Sequence, residues 1–129
     1  MKNVLYLSLS LLIFTACSKD QKAVNNLEGT WTRTGLAYNG VVVVDSSSTT
    51  YTFEKCKISK DDCPGEMISD GKTLAFTYNF SEKGEKFTLT VLETTAVDKG
   101  CVVEQTDDTF IFEYTDASLG VQVEETLTK

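Results

Sequence analysis

The chain contains no histidine, one proline, one tryptophan and a single arginine, Arg33. Each scarcity excludes something. Without imidazole there is no His general base, no His partner for a nucleophilic cysteine, and no His to complete a zinc site. A lone proline leaves long stretches free to extend as strands. Cations are few as well. Twelve lysines and arginines face 19 acids, a net charge of −7, and phosphate binding needs clustered cations, so nucleic acid is not an expected partner. Nor is there an apolar run long enough to cross a bilayer. Val4 to Phe14, interrupted only by Ser8 and Ser10, would span about 16 Å as a helix, roughly half the hydrocarbon thickness.

That short apolar stretch has a different use. Lys2 precedes it and Thr15-Ala16-Cys17 follows, which is the basic start, short core and small-residue end of a secretory signal peptide. Phe14-Thr15-Ala16-Cys17 resembles the lipobox of bacterial lipoproteins, with Phe14 where leucine is usual. The resemblance implies that residues 1–16 are removed and that Cys17 is acylated as the mature N-terminus. The membrane is then a partner through the acyl chains, at about 0.8 kcal/mol per buried CH₂. Discounting Lys2 moves the charge to −8, which argues against the domain surface lying on anionic lipid. Residues 17–26 are expected to be the lipidated cysteine and a polar tether. Ser18, in place of an aspartate resembling an inner-membrane retention signal, favours the outer membrane of a bacterial cell envelope, with its periplasmic or external face left open.

From Leu27 to Lys129 the pattern has period two. Leu74, Phe76, Tyr78 and Phe80 alternate with Thr73, Ala75, Thr77 and Asn79, and Phe87, Leu89 and Val91 alternate with Thr88 and Thr90. Glu82-Lys83-Gly84-Glu85 joins these two runs as a hairpin loop. Phe110, Phe112 and Tyr114 form another inward row, as do Val121, Val123 and Leu127 beyond a turn at Ser118-Leu119-Gly120. Tyr51 and Phe53 lie in an earlier strand, and a further strand is expected over residues 29–37. Strands apolar on one face must bury that face together. A meander of about eight does so best by closing, which also removes unpaired edges. The expected fold is therefore all-β, an antiparallel meander closed into a barrel over residues 27–129, with an open sandwich as the alternative.

Asn26-Leu27-Glu28-Gly29-Thr30-Trp31 resembles the Gly-x-Trp opening of lipocalin-like domains. The segment from Tyr51 to Lys57 through Cys63-Pro64-Gly65 and the strands to Lys129 are similar to small bacterial lipocalin-like lipoproteins. This likeness implies a calycin barrel, with Gly29 and Trp31 closing one end, and a small hydrophobic ligand inside. In that family an arginine near the last strand packs across the tryptophan. Here the cation near the last strand is Lys129, which lacks the planar guanidinium.

Beyond Cys17, an exported chain in an oxidising compartment is expected to hold a disulfide. Cys56 and Cys63 bracket a short loop and are the expected pair. Three cysteines allow three single pairings, and Cys101 is left free or buried as a small hydrophobe. No metal site and no cofactor are expected. Asp61-Asp62, Asp107-Asp108 and Glu124-Glu125 read as solvated pairs, so no catalytic residue is assigned and the chain is not expected to be an enzyme.

Two functions follow. In the first, a membrane-anchored binding module holds a small apolar molecule lined by Phe53, Phe76, Tyr78, Phe80, Phe87, Phe110 and Phe112. In the second, the same side chains fill the barrel and the protein is an accessory or interaction lipoprotein, its partner unnamed. Val41 to Val44 with Ile58 would then be its contact patch, because four consecutive valines cannot all face one interior.

Overall fold

A computed structural model describes residues 19–57, 62–116 and 118–129. A helix over residues 19–27 (α1) precedes nine strands. These are β1 (Gly29–Tyr38), β2 (Val41–Val42), β3 (Thr49–Phe53), β4 (Cys63–Ser69), β5 (Lys72–Ser81), β6 (Lys86–Val91), β7 (Val97–Gln105), β8 (Thr109–Asp116) and β9 (Val121–Thr128). Every pairing is antiparallel. From β3 to β9 each strand pairs with the next, and β1 pairs with both β3 and β9, so eight strands close into a barrel. β2 is the extra strand, riding on the end of β1 through Ala37↔Val42 and Tyr38↔Val41. The closed all-β barrel expected from the alternating rows is the fold observed.

The turns follow from local chemistry. Asn39-Gly40 and Asp70-Gly71 have positive φ at both residues, which lets two-residue connections match the twist of their strands. β4 and β7 carry no apolar alternation, so the period-two pattern does not predict them. Some of their inward positions hold small or polar residues instead, Gly65 on β4 and Asp98 and Gly100 on β7. A Cβ on Gly65 would collide with the Phe76 ring, so its glycine is the space that the ring occupies. β7 turns Asp98, Gly100 and Val102 toward the interior and leaves Val97 and Val103 exposed, reversing the usual sorting.

The helix corrects the expectation of a polar tether over residues 17–26. Ala23, Val24 and Leu27 are buried against the barrel, with Val24 and Leu27 fully so. Residues this polar would not hold a helix alone; tertiary contacts hold it. Asp20 accepts a hydrogen bond from the Gly84 N–H at 2.6 Å, and Gln105 Nε2 donates to the Ala23 carbonyl at 2.9 Å. The folded unit therefore includes residues from 19 onward. α1 stoppers the end where β1, β4, β6 and β8 begin. Cys17, Ile58 and Asp61 lie outside the described residues.

Candidate functional site

Trp31 belongs to the stopper. Fully buried, it donates from Nε1 to the Leu27 carbonyl at 2.7 Å. The Lys129 ammonium lies 5.4 Å from the centre of its ring and donates to the Glu28 carbonyl at 2.6 Å. The Lys129 side chain also passes where a Cβ on Gly29 would stand. Gly29, Trp31 and the last-strand cation are thus brought together at the helix end.

Above this layer the aromatic rows fill the barrel. Phe53 meets Tyr78 with ring centres 5.0 Å apart, Phe80 meets Phe87 at 5.1 Å, and Phe87 meets Phe110 at 5.2 Å and Phe112 at 5.3 Å. Such tilted and edge-to-face contacts add to what burial itself contributes. All seven aromatics expected as lining do point inward and are buried. All seven, however, pack ring against ring. Phe112 is the one that borders a cavity at the other end of the barrel.

That cavity measures about 160 Å³ and lies opposite the helix, near the ends of β4, β6 and β8. Met67, Leu89, Val91 and Phe112 supply an apolar floor, while Arg33, Tyr51, Asp98, Tyr114 and Glu125 supply polar groups. Glu125 corrects the reading of Glu124-Glu125 as a solvated pair, since it is 3 % exposed and turned into the barrel. It accepts from Tyr51 at 2.9 Å, from Tyr114 at 2.7 Å and from Arg33 Nη1 at 3.0 Å. Arg33 in turn donates from Nε and Nη2 to Asp45 at 2.7 and 3.2 Å, and from Nη2 to Ser47 at 2.7 Å. Asp45 and Ser47 sit on the connection between β2 and β3, which folds inward to reach the guanidinium.

The electrostatics follow from this crowding. Burial works against the Arg33 charge, but the bond to Asp45 and the charge of Glu125 outweigh it and hold its pKa above the usual value. The Asp45 carboxyl is drawn down to about 2 by its bond to Arg33, with Ser47 assisting. Burial, then the Glu125 charge, pushes both phenols upward, so Tyr51 and Tyr114 remain protonated donors. Asp98 differs from the rest. Burial, then the charges of Glu125 and Asp116, raises it to about 6, and among the described residues no hydrogen bond or ion pair holds its carboxylate.

Cys56 and Cys63 form the expected disulfide, with Cα atoms 5.6 Å apart. Cys101 is exposed, which removes the buried alternative. It lies 3.2 Å from the Lys86 ammonium across the β6–β7 pair. A concavity of about 390 Å³ beside it is larger than the barrel cavity, but it is bounded by exposed lysines and a glutamate on the outer wall, with no buried polar group. The smaller site is the better organised one. Of the expected valine patch, Val41, Val42 and Val44 are 66, 82 and 93 % exposed and Val43 is half-buried. Among the described residues, no cluster of three or more cysteines or acids is placed to hold a metal ion.

Searches of family models and of curated proteins yield no match to this chain. Among solved structures it resembles small designed barrels. One, a redesigned β-barrel named b11L5F_LGL, aligns with TM-score 0.56 and 17 % identity over 83 % of this chain and 94 % of that one. A de novo designed fluorescence-activating β-barrel aligns with TM-score 0.56 at 12 % identity over 83 % and 96 %. The redesigned barrel mFAP1, bound to DFHBI, aligns with TM-score 0.54 at 15 % identity over 83 % and 98 %. These likenesses define the class by architecture: a small closed antiparallel β-barrel.

Proposed function

We propose that this chain is a lipid-anchored envelope protein whose barrel binds a small ligand at the end opposite α1. The observation that carries the binding reading is the Asp98–Tyr114–Glu125 cavity, an unfilled space at one end of an interior that aromatics otherwise fill. Polar groups converging on an apolar-floored cavity are the usual make-up of a small-molecule site. Its volume favours one ring or a short alkyl body, because an apolar cavity of about 150 Å³ takes a benzene. The mFAP1 barrel, of similar architecture, is bound to DFHBI, which supports the idea that so small a barrel has room for a ligand.

The anchor reading rests on the lipobox-like residues before Cys17. Only Ser18 separates that cysteine from the described helix. An acyl group on Cys17 would therefore hold the stoppered end close to the bilayer and turn the cavity end away from it.

For binding, the test is a single-ring fragment series titrated into ¹⁵N-labelled protein. Amide shifts grouped at Leu89, Asp98, Phe112 and Tyr114 are expected; shifts scattered over the outer wall, or none, would overturn the reading. For the anchor, Cys17→Ser should move the protein to the soluble fraction, and continued membrane retention would contradict it. The exposed valines of β2 favour a second reading, an accessory lipoprotein that docks through this flap. In-cell crosslinking from position 42 should then recover one specific partner, and recovery of none counts against it.

A further inference from the structure

We infer that the ligands of the barrel cavity are small organic cations, an ammonium on a one-ring or short alkyl body, received by the Asp98 carboxylate. This rests on the ligand-binding reading above and names its chemical class. The argument begins with charge. Among the described residues around the cavity, one cation, Arg33, meets three carboxylates, Asp45, Glu125 and Asp98. Arg33 is already spoken for: Asp45, Ser47 and Glu125 take its nitrogens. An incoming anion would find no free guanidinium and would be repelled by the excess negative charge.

Asp98 is the group left over. It stands on β7 at the cavity wall. From β6 it faces Leu89 and Val91, which are apolar; from β8, Tyr114 and Asp116; from β9, Glu125; and from β1, the committed Arg33. None of these offers it a free positive charge. A half-buried carboxylate surrounded by apolar groups and other carboxylates is costly, and an opposite charge brought within hydrogen-bond reach relieves it. A neutral ligand cannot do so. The rings of Phe112 and Tyr114, stacked 5.7 Å apart, border the same space and suit both the ligand's apolar body and its cation.

The same groups set the pH dependence. Asp98 is held up to about 6 by burial, Glu125 and Asp116, so it is largely ionised at pH 7 and largely protonated at pH 5. Amine binding should therefore weaken as pH falls through that value.

The experiment compares three ligands on one ring, benzylamine, benzyl alcohol and benzoate, by calorimetry and by the amide shifts of the labelled protein. Benzylamine should bind about tenfold or more tightly than benzyl alcohol, the discrimination expected of a charged hydrogen bond, and benzoate should be weakest. Asp98→Asn should bring benzylamine to the level of benzyl alcohol, with an otherwise wild-type amide spectrum. Benzylamine affinity should fall between pH 7 and pH 5 in the wild type only. If the alcohol or the acid binds as well as the amine at these cavity amides, the cation class is overturned and the ligand-binding reading stands. If none shifts them, both fall. If Asp98→Asn keeps the preference for the amine, the assignment to Asp98 is overturned.

Discussion

Arg33 Nη1 donates to Glu125 Oε1 at 3.0 Å across the seam where β1 meets β9. The backbone ladder there is irregular, shifting register between Arg33 and Gly35. The same carboxylate takes the Tyr51 hydroxyl from β3 and the Tyr114 hydroxyl from β8, so one side chain links four strands at the closure. Removing one member of such a buried set strands the others. Glu125→Ala should lower stability by about 3 kcal/mol, because the Tyr51 and Tyr114 hydroxyls and Arg33 Nη1 all lose their buried acceptor. Thermal melting should show a fall of roughly 10 °C. Adding Arg33→Met, Tyr51→Phe and Tyr114→Phe should recover part of that loss rather than deepen it, since the four act as a unit. Additive losses would mean that each contributes independently.

Two carboxyls of the site should pull stability in opposite directions with pH. Asp98 has a folded pKa near 6, above its unfolded value, so the folded state binds a proton that the unfolded state does not. Its contribution therefore grows as pH falls from about 7 toward 4.5. Asp45, near 2 in the fold, contributes stability above its unfolded value that is lost as pH drops toward 2. Urea midpoints measured from about pH 7 to 4.5 should rise more for the wild type than for Asp98→Asn. Asp45→Asn should flatten the loss below about pH 4. Identical slopes for wild type and variants would remove these assignments.

The Cys56–Cys63 bridge closes a loop with sequence separation 7 at the stoppered end, and Cys63 is fully buried. On the chain-entropy account, a loop this short contributes about 2.5 kcal/mol. Reduction should lower the melting temperature by several degrees while leaving the all-strand circular dichroism intact. Peptide mapping without reduction should join the peptides carrying these two residues. A reduced form as stable as the oxidised one would mean that the bridge only decorates a loop already fixed by its neighbours.

How much of this was legible depended on whether the inward positions carried apolar side chains. Phe76, Tyr78 and Phe80 on β5, Phe87 and Leu89 on β6, and Phe110 and Phe112 on β8 announce their strands, because bulk alternates with threonine. β4 and β7 gave no such signal, since Gly65 yields its space to Phe76, and Asp98 with Gly100 stands where valine would be expected. Glu125 was within reach: it lies between Val123 and Leu127 on the buried face, and the alternation that placed them places it. Its neighbour Glu124 hid it, because adjacent acids read as a solvated pair. Nothing local marked Asp98, whose significance comes from four other strands. The helix was illegible for a similar reason, as residues 19–26 carry two buried apolar side chains, Ala23 and Val24, and owe their order to the barrel beneath.

That dependence makes the stopper testable. Leu27 is fully buried at the foot of α1, and its carbonyl receives the Trp31 indole N–H. Leu27→Ala removes apolar contact from both helix and core and should cost about 3 kcal/mol. Asn26→Ala, one residue earlier and only half-buried, should change stability by less than about 0.5 kcal/mol. The more specific readout is hydrogen exchange. If α1 is held by docking rather than by its own propensity, Leu27→Ala should abolish protection of the amides of residues 23–27 while the β5, β6 and β8 amides stay protected. The Trp31 fluorescence should shift to the red as water reaches the ring. Loss of protection throughout the barrel at the same rate would show instead that stopper and strands open as one unit, with the helix end serving as part of the core.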